Sequence, residues 1–269
     1  MTEPLLRVRG LRKVFEGDRP GSGLVAVNDL TFDLRQGESL AIVGESGSGK
    51  TTTARIIAGL ESATAGEVQL DGRPIAGPRA RRRRGDRDIQ MVFQDPFGSL
   101  DPRQRIGSAI AELLSVHFRL SKARRLTRVA ELLDEVGLDE RLAAEYPRSL
   151  SGGQRQRVAI ARALALEPRL LILDEAVAAL DVSVQSQVLN LLIDLRERRG
   201  ISYLFVSHDL AVVRQVSDRC LVMCTGELVE QGQTADVLDS PRESYTRQLL
   251  DAVPRPGWTP RRRSSADAF

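Results

Sequence analysis

Residues 44–51 read Gly44-Glu45-Ser46-Gly47-Ser48-Gly49-Lys50-Thr51: a glycine, four free positions, then Gly-Lys-Thr. Each residue type at that spacing suits a polyphosphate. Gly44, Gly47 and Gly49 let the backbone turn tightly and bring its N–H groups close to phosphate oxygens. Lys50 supplies a compact cation for the β- and γ-phosphates, and Thr51 offers a hydroxyl to Mg²⁺. Ser46, Ser48 and Thr52 complete the candidate ATP-binding segment. A second pair stands far downstream, where Leu170-Leu-Ile-Leu173 ends in Asp174-Glu175. Asp174 suits Mg²⁺, held directly or through water, and Glu175 suits a general base that polarises an attacking water. Either group alone has a bland alternative: a glycine-rich turn that binds nothing, or an acidic pair that caps the next helix. Together they describe hydrolysis of a nucleoside triphosphate.

The elements around these residues fit that reading. Ser39-Leu-Ala-Ile-Val43 is a short apolar run, expected as a buried strand, and residues 51–60 read as a helix whose N-terminal dipole faces the phosphates. The continuous aliphatic run before Asp174 fits a central parallel strand buried on both faces, with its carboxylates at the end where open α/β sheets bind ligands. Residues 5–9 and 24–43 alternate apolar and polar side chains and read as an antiparallel segment leading into the loop. Further strands are expected at 66–70, 89–93 and 201–207, and a hairpin at 219–232 with Gly226 in its turn. Helical spacing marks 105–118, 121–137, 154–166, 182–198 and a stretch from about Asp209. Strands alternating with helices predict a mostly parallel sheet with helices on both faces.

Composition narrows the class. The chain has 269 residues, 42% hydrophobic and 28% charged, with a net charge of +3. That balance is ordinary for a soluble globular domain and gives little support to a nucleic-acid partner. No apolar run approaches the roughly 20 residues needed to cross a bilayer, and the N-terminus lacks a basic-then-apolar leader, so a cytosolic location is expected. The basic residues are nearly all Arg; Lys occurs only at 13, 50 and 122. The run Arg79-Ala-Arg81-Arg82-Arg83-Arg84 reads as a solvated loop, because no aromatic side chains interleave it. Cys220 and Cys224 read as small hydrophobes on a strand rather than a metal site. The Pro-, Arg- and Ser-rich tail 254–269 reads as mobile.

Between the two chemical groups lies Leu150-Ser151-Gly152-Gly153-Gln154, followed by Arg155-Gln156-Arg157. Read alone, Ser151 is a helix N-cap. Read with the phosphate loop and the acidic strand, the pentapeptide resembles the signature motif of ATP-binding cassette (ABC) ATPases, and the resemblance covers nearly the whole chain. It implies a P-loop NTPase fold over 1–253: a mostly parallel sheet flanked by helices, an antiparallel β subdomain, a helical insert at about 95–150 and a C-terminal extension at about 233–253. It also implies residue roles. Gln94 matches the family's glutamine loop and joins Thr51 and Asp174 as a Mg²⁺ group. His208 matches the switch histidine that contacts the γ-phosphate, Asp181 the aspartate loop, and Phe15 the aromatic that stacks on adenine. Ser151, Gly152, Gly153 and Gln154 would clamp ATP bound to a second cassette.

Three segments are similar to the oligopeptide/dipeptide/nickel branch of bacterial importers: residues 90–103, Leu180 to Asn190, and Glu227 to Gly232 continued by Pro241 to Leu250 and Ala252-Val-Pro254. The branch implies transmembrane permease subunits as partners, a second ABC ATPase as homo- or heterodimer partner, an extracytoplasmic solute-binding protein at one remove, and a peripheral place on the cytoplasmic face of the membrane. Two departures stand out. The loop after Glu175 is Ala176-Val-Ala-Ala179 where many members carry Pro-Thr-Ser, and no cysteine-rich C-terminal segment is present, so no iron–sulfur cluster is expected. Two other readings remain: an accessory cassette ATPase of a soluble complex such as phosphonate breakdown, or an importer of nickel or another solute. A nucleic-acid-linked cassette is disfavoured, because such chains need a long coiled coil or two cassettes.

Overall fold

The strand-forming runs of the first third of the chain divide between two sheets. In the computed structural model, residues 3–17, 23–77, 87–95, 98 and 100–252 are described. The Arg79–Arg84 run, part of the branch-like segment 90–103 and the tail 254–269 fall outside them. The smaller sheet has four antiparallel strands, β1 (Leu6–Phe15), β2 (Leu24–Leu34), β4 (Ala65–Leu70) and β5 (Arg73–Ala76), in the order β2-β1-β4-β5. The larger sheet contains β3 (Ser39–Val43), β6 (Ile89–Val92), β7 (Leu170–Asp174), β8 (Ser202–Val206), β9 (Arg219–Cys224) and β10 (Glu227–Gln233). Its order is β10-β9-β3-β8-β7-β6, and only the edge pair β9–β10 is antiparallel.

The stretch 24–43 is therefore split. Its first part joins the antiparallel sheet, whereas Ser39–Val43 joins the parallel one and is buried at every position. β7 and β8 are likewise buried throughout. Alternation along these strands feeds two separate cores. Leu40, Ile42, Leu170, Ile172, Leu204, Val206, Leu221 and Met223 point to the side shared with the small sheet. Ala41, Val43, Leu171, Leu173, Tyr203, Phe205, Cys220 and Val222 point to the helical side. The reading of Cys220 as a buried hydrophobe holds, and Cys224 is half-buried; both are free thiols on β9.

Eight described helices complete the fold: α1 (Lys50–Ile57), α2 (Ile106–His117), α3 (Lys122–Glu135), α4 (Gly152–Leu164), α5 (Val182–Arg199), α6 (Leu210–Val216), α7 (Thr234–Asp239) and α8 (Ser244–Asp251). α1 packs Ala54, Ile56 and Ile57 between the two sheets. α2 and α3, followed by short 3₁₀ turns at Glu140–Ala144 and Pro147–Ser149, form a helical layer. Ile106, Ile110, Leu132, Leu133 and Val136 seat it on the same core as α4 and α5. Polar contacts lock it there: Arg199 pairs with Glu135, and the Arg157 guanidinium donates to the Val136 carbonyl at 2.9 Å. The expected hairpin is β9–β10. Its turn, Thr225-Gly226, has φ of 47° and 87°, the double-positive pair that matches strand twist.

Phe205 is fully buried on β8, flanked by β3 and β7. Phe205→Ala is expected to cost about 3–5 kcal/mol, read as a lowered midpoint in urea unfolding.

Candidate nucleotide site

The backbone at the start of the loop admits only glycine. Gly44 has φ of 149°, and a Cβ there would lie 2.1 Å from the Met223 carbonyl oxygen. Gly49, also at positive φ, caps α1, so Lys50 and Thr51 open its first turn with the positive end of the helix dipole behind them. Ser46 and Gly47 are exposed, Ser48 is buried, and Thr52 is half-buried. Lys50 is only 5% exposed. Its ammonium donates to the carbonyls of Gly44 at 2.9 Å and Glu45 at 2.7 Å. Burial pushes its pKa down, while Glu175 and Asp174 pull it back up.

Strand register brings the second group alongside. β8 lies between β3 and β7, and Val206 pairs with both Ile42 and Asp174. The C-terminal ends of the three strands are thus level. There the Thr51 hydroxyl donates to Asp174 Oδ1 at 3.0 Å, across 123 residues of sequence. Asp174 is 5% exposed. Burial raises its pKa, against the lowering effect of the Thr51 hydroxyl. Glu175 adopts φ of 49°, a left-handed conformation that costs a non-glycine residue about 1 kcal/mol or more. Its N–H donates to the Val206 carbonyl at 2.9 Å, which fixes that turn. One carboxylate oxygen of Glu175 lies 3.2 Å from His208 Nδ1. With the carboxylate ionised, the imidazole N–H is the donor.

The remaining candidates sit around this centre. Val92 pairs with Leu173, so Gln94, exposed just past β6, leaves the sheet beside the strand that carries Asp174 and Glu175. Asp181 caps α5, accepting from the Val184 N–H at 2.9 Å and the Ser183 hydroxyl at 2.8 Å. Those two bonds lower its pKa. Phe15 closes β1, 38% exposed, with the Lys13 ammonium 4.7 Å from its ring centroid. The Ser151 reading as a cap is met in full. Its hydroxyl accepts from the Gln154 N–H at 3.2 Å, and the Gln154 side chain accepts from the Ser151 N–H at 2.9 Å, a complete capping box. Gly152 is exposed, whereas Gly153 is buried because α5 crosses there: a Cβ on Gly153 would meet Val184 Cγ1 at 2.3 Å. Sequence reasoning missed the contacts that the β9–β10 hairpin and α8 make with the loop. Gly226 N–H donates to the Ser48 carbonyl at 3.1 Å, and Glu45 N–H donates to the Tyr245 hydroxyl at 3.4 Å. No local motif announces them.

Such a loop at the mouth of a central parallel strand, with carboxylates on a strand two places away, defines a P-loop nucleotide-binding domain. The matches to known proteins take this one step further. Residues 27–178 match the ABC transporter family model. The oligopeptide transport ATP-binding protein OppF of Bacillus subtilis (strain 168) is 46% identical over 259 residues, covering 95% of this chain and 84% of OppF. The glutathione import ATP-binding protein GsiA of Salmonella paratyphi A is 48% identical over 258 residues, 94% of this chain and 41% of GsiA. In three dimensions, the ATP-binding cassette MJ0796, dimeric in a post-hydrolysis state with ADP and Pi, superposes with a TM-score of 0.74 at 31% identity over 85% of this chain and 98% of that one. The chain belongs to the ABC transporter family, as an ATP-binding, ATP-hydrolysing cassette. No helix among the described residues is long and apolar enough to cross a membrane.

Gly153 separates packing from ligand contact. Gly153→Ala gains up to about 1 kcal/mol of helix propensity but forces α4 against Val184, at about 1–3 kcal/mol. The expected net effect is destabilising. In a Val184→Ala background the same change should become neutral or stabilising, a reversal that a double-mutant cycle of urea unfolding measures directly.

Proposed function

We propose that this chain powers a peptide-type importer, with two cassettes closing on ATP and reopening after hydrolysis. The observation that carries the mechanism is the meeting of Lys50, Thr51, Asp174, Glu175 and His208 at the level ends of β3, β7 and β8. Lys50 sits against loop carbonyls, ready to be exchanged onto the β- and γ-phosphates. The N–H groups of residues 47–51 add donors to the same oxygens. Gly44, Ser46, Ser48 and Thr52 shape this cradle, and Phe15 offers a ring to adenine.

The Thr51 hydroxyl and the Asp174 carboxylate are adjacent hard oxygen donors, and a buried carboxylate of raised pKa favours a cation beside it. The described residues contain no group of three or more His, Cys, Asp or Glu side chains suited to a metal. A Mg²⁺ ion here would therefore be shared between Thr51, Asp174, Gln94 and the nucleotide's own oxygens. When bound, it neutralises charge on the phosphates. Glu175 takes the proton of the attacking water on the oxygen that His208 leaves unbonded. His208 orients that carboxylate and approaches the γ-phosphate. Ser151, Gly152, Gly153 and Gln154, at the exposed start of α4, complete the site of a second cassette, and Asp181 holds the loop that faces it.

The cargo class rests on the three branch-like segments and on the similarity to OppF and GsiA. Short peptides are the substrate. Gln94 and the helical layer of α2 and α3 form the docking surface for permease subunits, at the cytoplasmic face of the membrane. An extracytoplasmic solute-binding protein delivers the cargo.

Glu175→Gln is expected to lower ATP turnover at least about 100-fold, the scale of a lost general base. It should accumulate an ATP-bound dimer, read by size-exclusion chromatography with nucleotide. Normal turnover would remove Glu175 from the role of base. The full chain isolated from its native membrane should carry permease subunits with it; recovery without any membrane protein would overturn the importer reading.

A further inference from the structure

The phosphate loop is gripped from behind by the C-terminal part of the chain. Gly44 lies under the Met223 carbonyl of β9, and the Gly226 N–H in the β9–β10 turn holds the Ser48 carbonyl at 3.1 Å. The third grip comes from α8, where the Tyr245 hydroxyl accepts from the Glu45 N–H at 3.4 Å. α8 is itself anchored. The Glu230 carboxylate of β10 accepts from the N–H groups of Arg242 at 2.9 Å and Glu243 at 3.2 Å. Tyr245, Leu249 and Leu250 then pack on the helical-side core.

The Glu45 N–H belongs to the same planar peptide unit as the Gly44 carbonyl. That carbonyl accepts from Lys50 Nζ at 2.9 Å. One rigid group thus links the tyrosine hydroxyl to the lysine that faces the phosphates. Glycine at 44 leaves this peptide free to rotate unless something holds it. We infer that Tyr245 is a positioning residue for nucleotide binding, holding the Gly44–Glu45 peptide in the orientation that presents Lys50. This deepens the assignment of 44–51 as the phosphate loop and rests on it. It gives the C-terminal extension a task in the ATP site, separate from cargo and from permease docking.

The test uses the full chain and a fluorescent ATP analogue at equilibrium. Tyr245→Phe keeps the ring packed and removes the hydroxyl. Loss of one neutral hydrogen bond should weaken nucleotide binding about threefold, with the thermal midpoint of the apoprotein unchanged. Leu249→Ala, which loosens α8 without touching the loop, should lower the thermal midpoint and leave affinity alone. Unchanged or tighter binding in Tyr245→Phe overturns the inference. So does equal weakening in Leu249→Ala, which would mean that any loosening of α8 has the same effect. Lys50→Ala distinguishes the two levels: if it binds nucleotide as the wild type does, the phosphate-loop assignment itself fails, whatever Tyr245 does.

Discussion

An ammonium held at 5% exposure sets terms for everything around it. Burying a charge without partners costs several kcal/mol, so Lys50 must be surrounded by oxygen. The chain answers with the carbonyls of Gly44 and Glu45, which converge only because the loop is wound tightly enough to aim them inward. That winding needs glycine at 44 and 49, and it needs β3 anchored between β8 and β9. Asp174, buried to the same extent one strand beyond β8, adds long-range attraction and accepts the Thr51 hydroxyl. The two buried charges do not form a direct pair. Asp174 acts on the Lys50 ammonium only through space, and Lys50 makes its hydrogen bonds to the loop carbonyls instead.

Much of this was legible in the sequence because it is encoded locally. The glycine–lysine spacing, the four aliphatics before Asp174 and the serine–glutamine spacing of the α4 cap each report a short-range geometric requirement. The strands β3, β7 and β8 were legible as continuous apolar runs because both their faces are covered. What local pattern does not encode is which strands become neighbours. Residues 24–43 read as one antiparallel segment, yet β2 and β3 part company at the turn and enter different sheets. Alternation and burial look alike over five residues, and only the helix that follows β3 tells them apart. The grip of Tyr245 and Gly226 on the loop spans about 200 residues of sequence and takes hold of the loop's backbone groups, so no residue type in the loop signals it.

The signature segment shows how one set of atoms answers two demands. The capping box uses the N–H groups of Ser151 and Gln154 and ties both side chains into the helix end. It leaves the N–H groups of Gly152 and Gly153 outside the box, at the exposed, positive end of a helix of 13 residues. Gly153 has its own structural cause, since α5 and Val184 leave no room for a side chain. The pentapeptide is therefore explained locally as a cap and a helix crossing. Neither cause requires Gly152, which has only Leu180 Cδ2 within 4 Å of where its Cβ would stand, at 3.7 Å. A side chain fits there without strain, in a helix where alanine would be more stable by up to about 1 kcal/mol. Its absence leaves the backbone at the helix end open to close approach from outside. Steric room at Gly152 thus separates the part of the motif that the fold needs from the part that it does not.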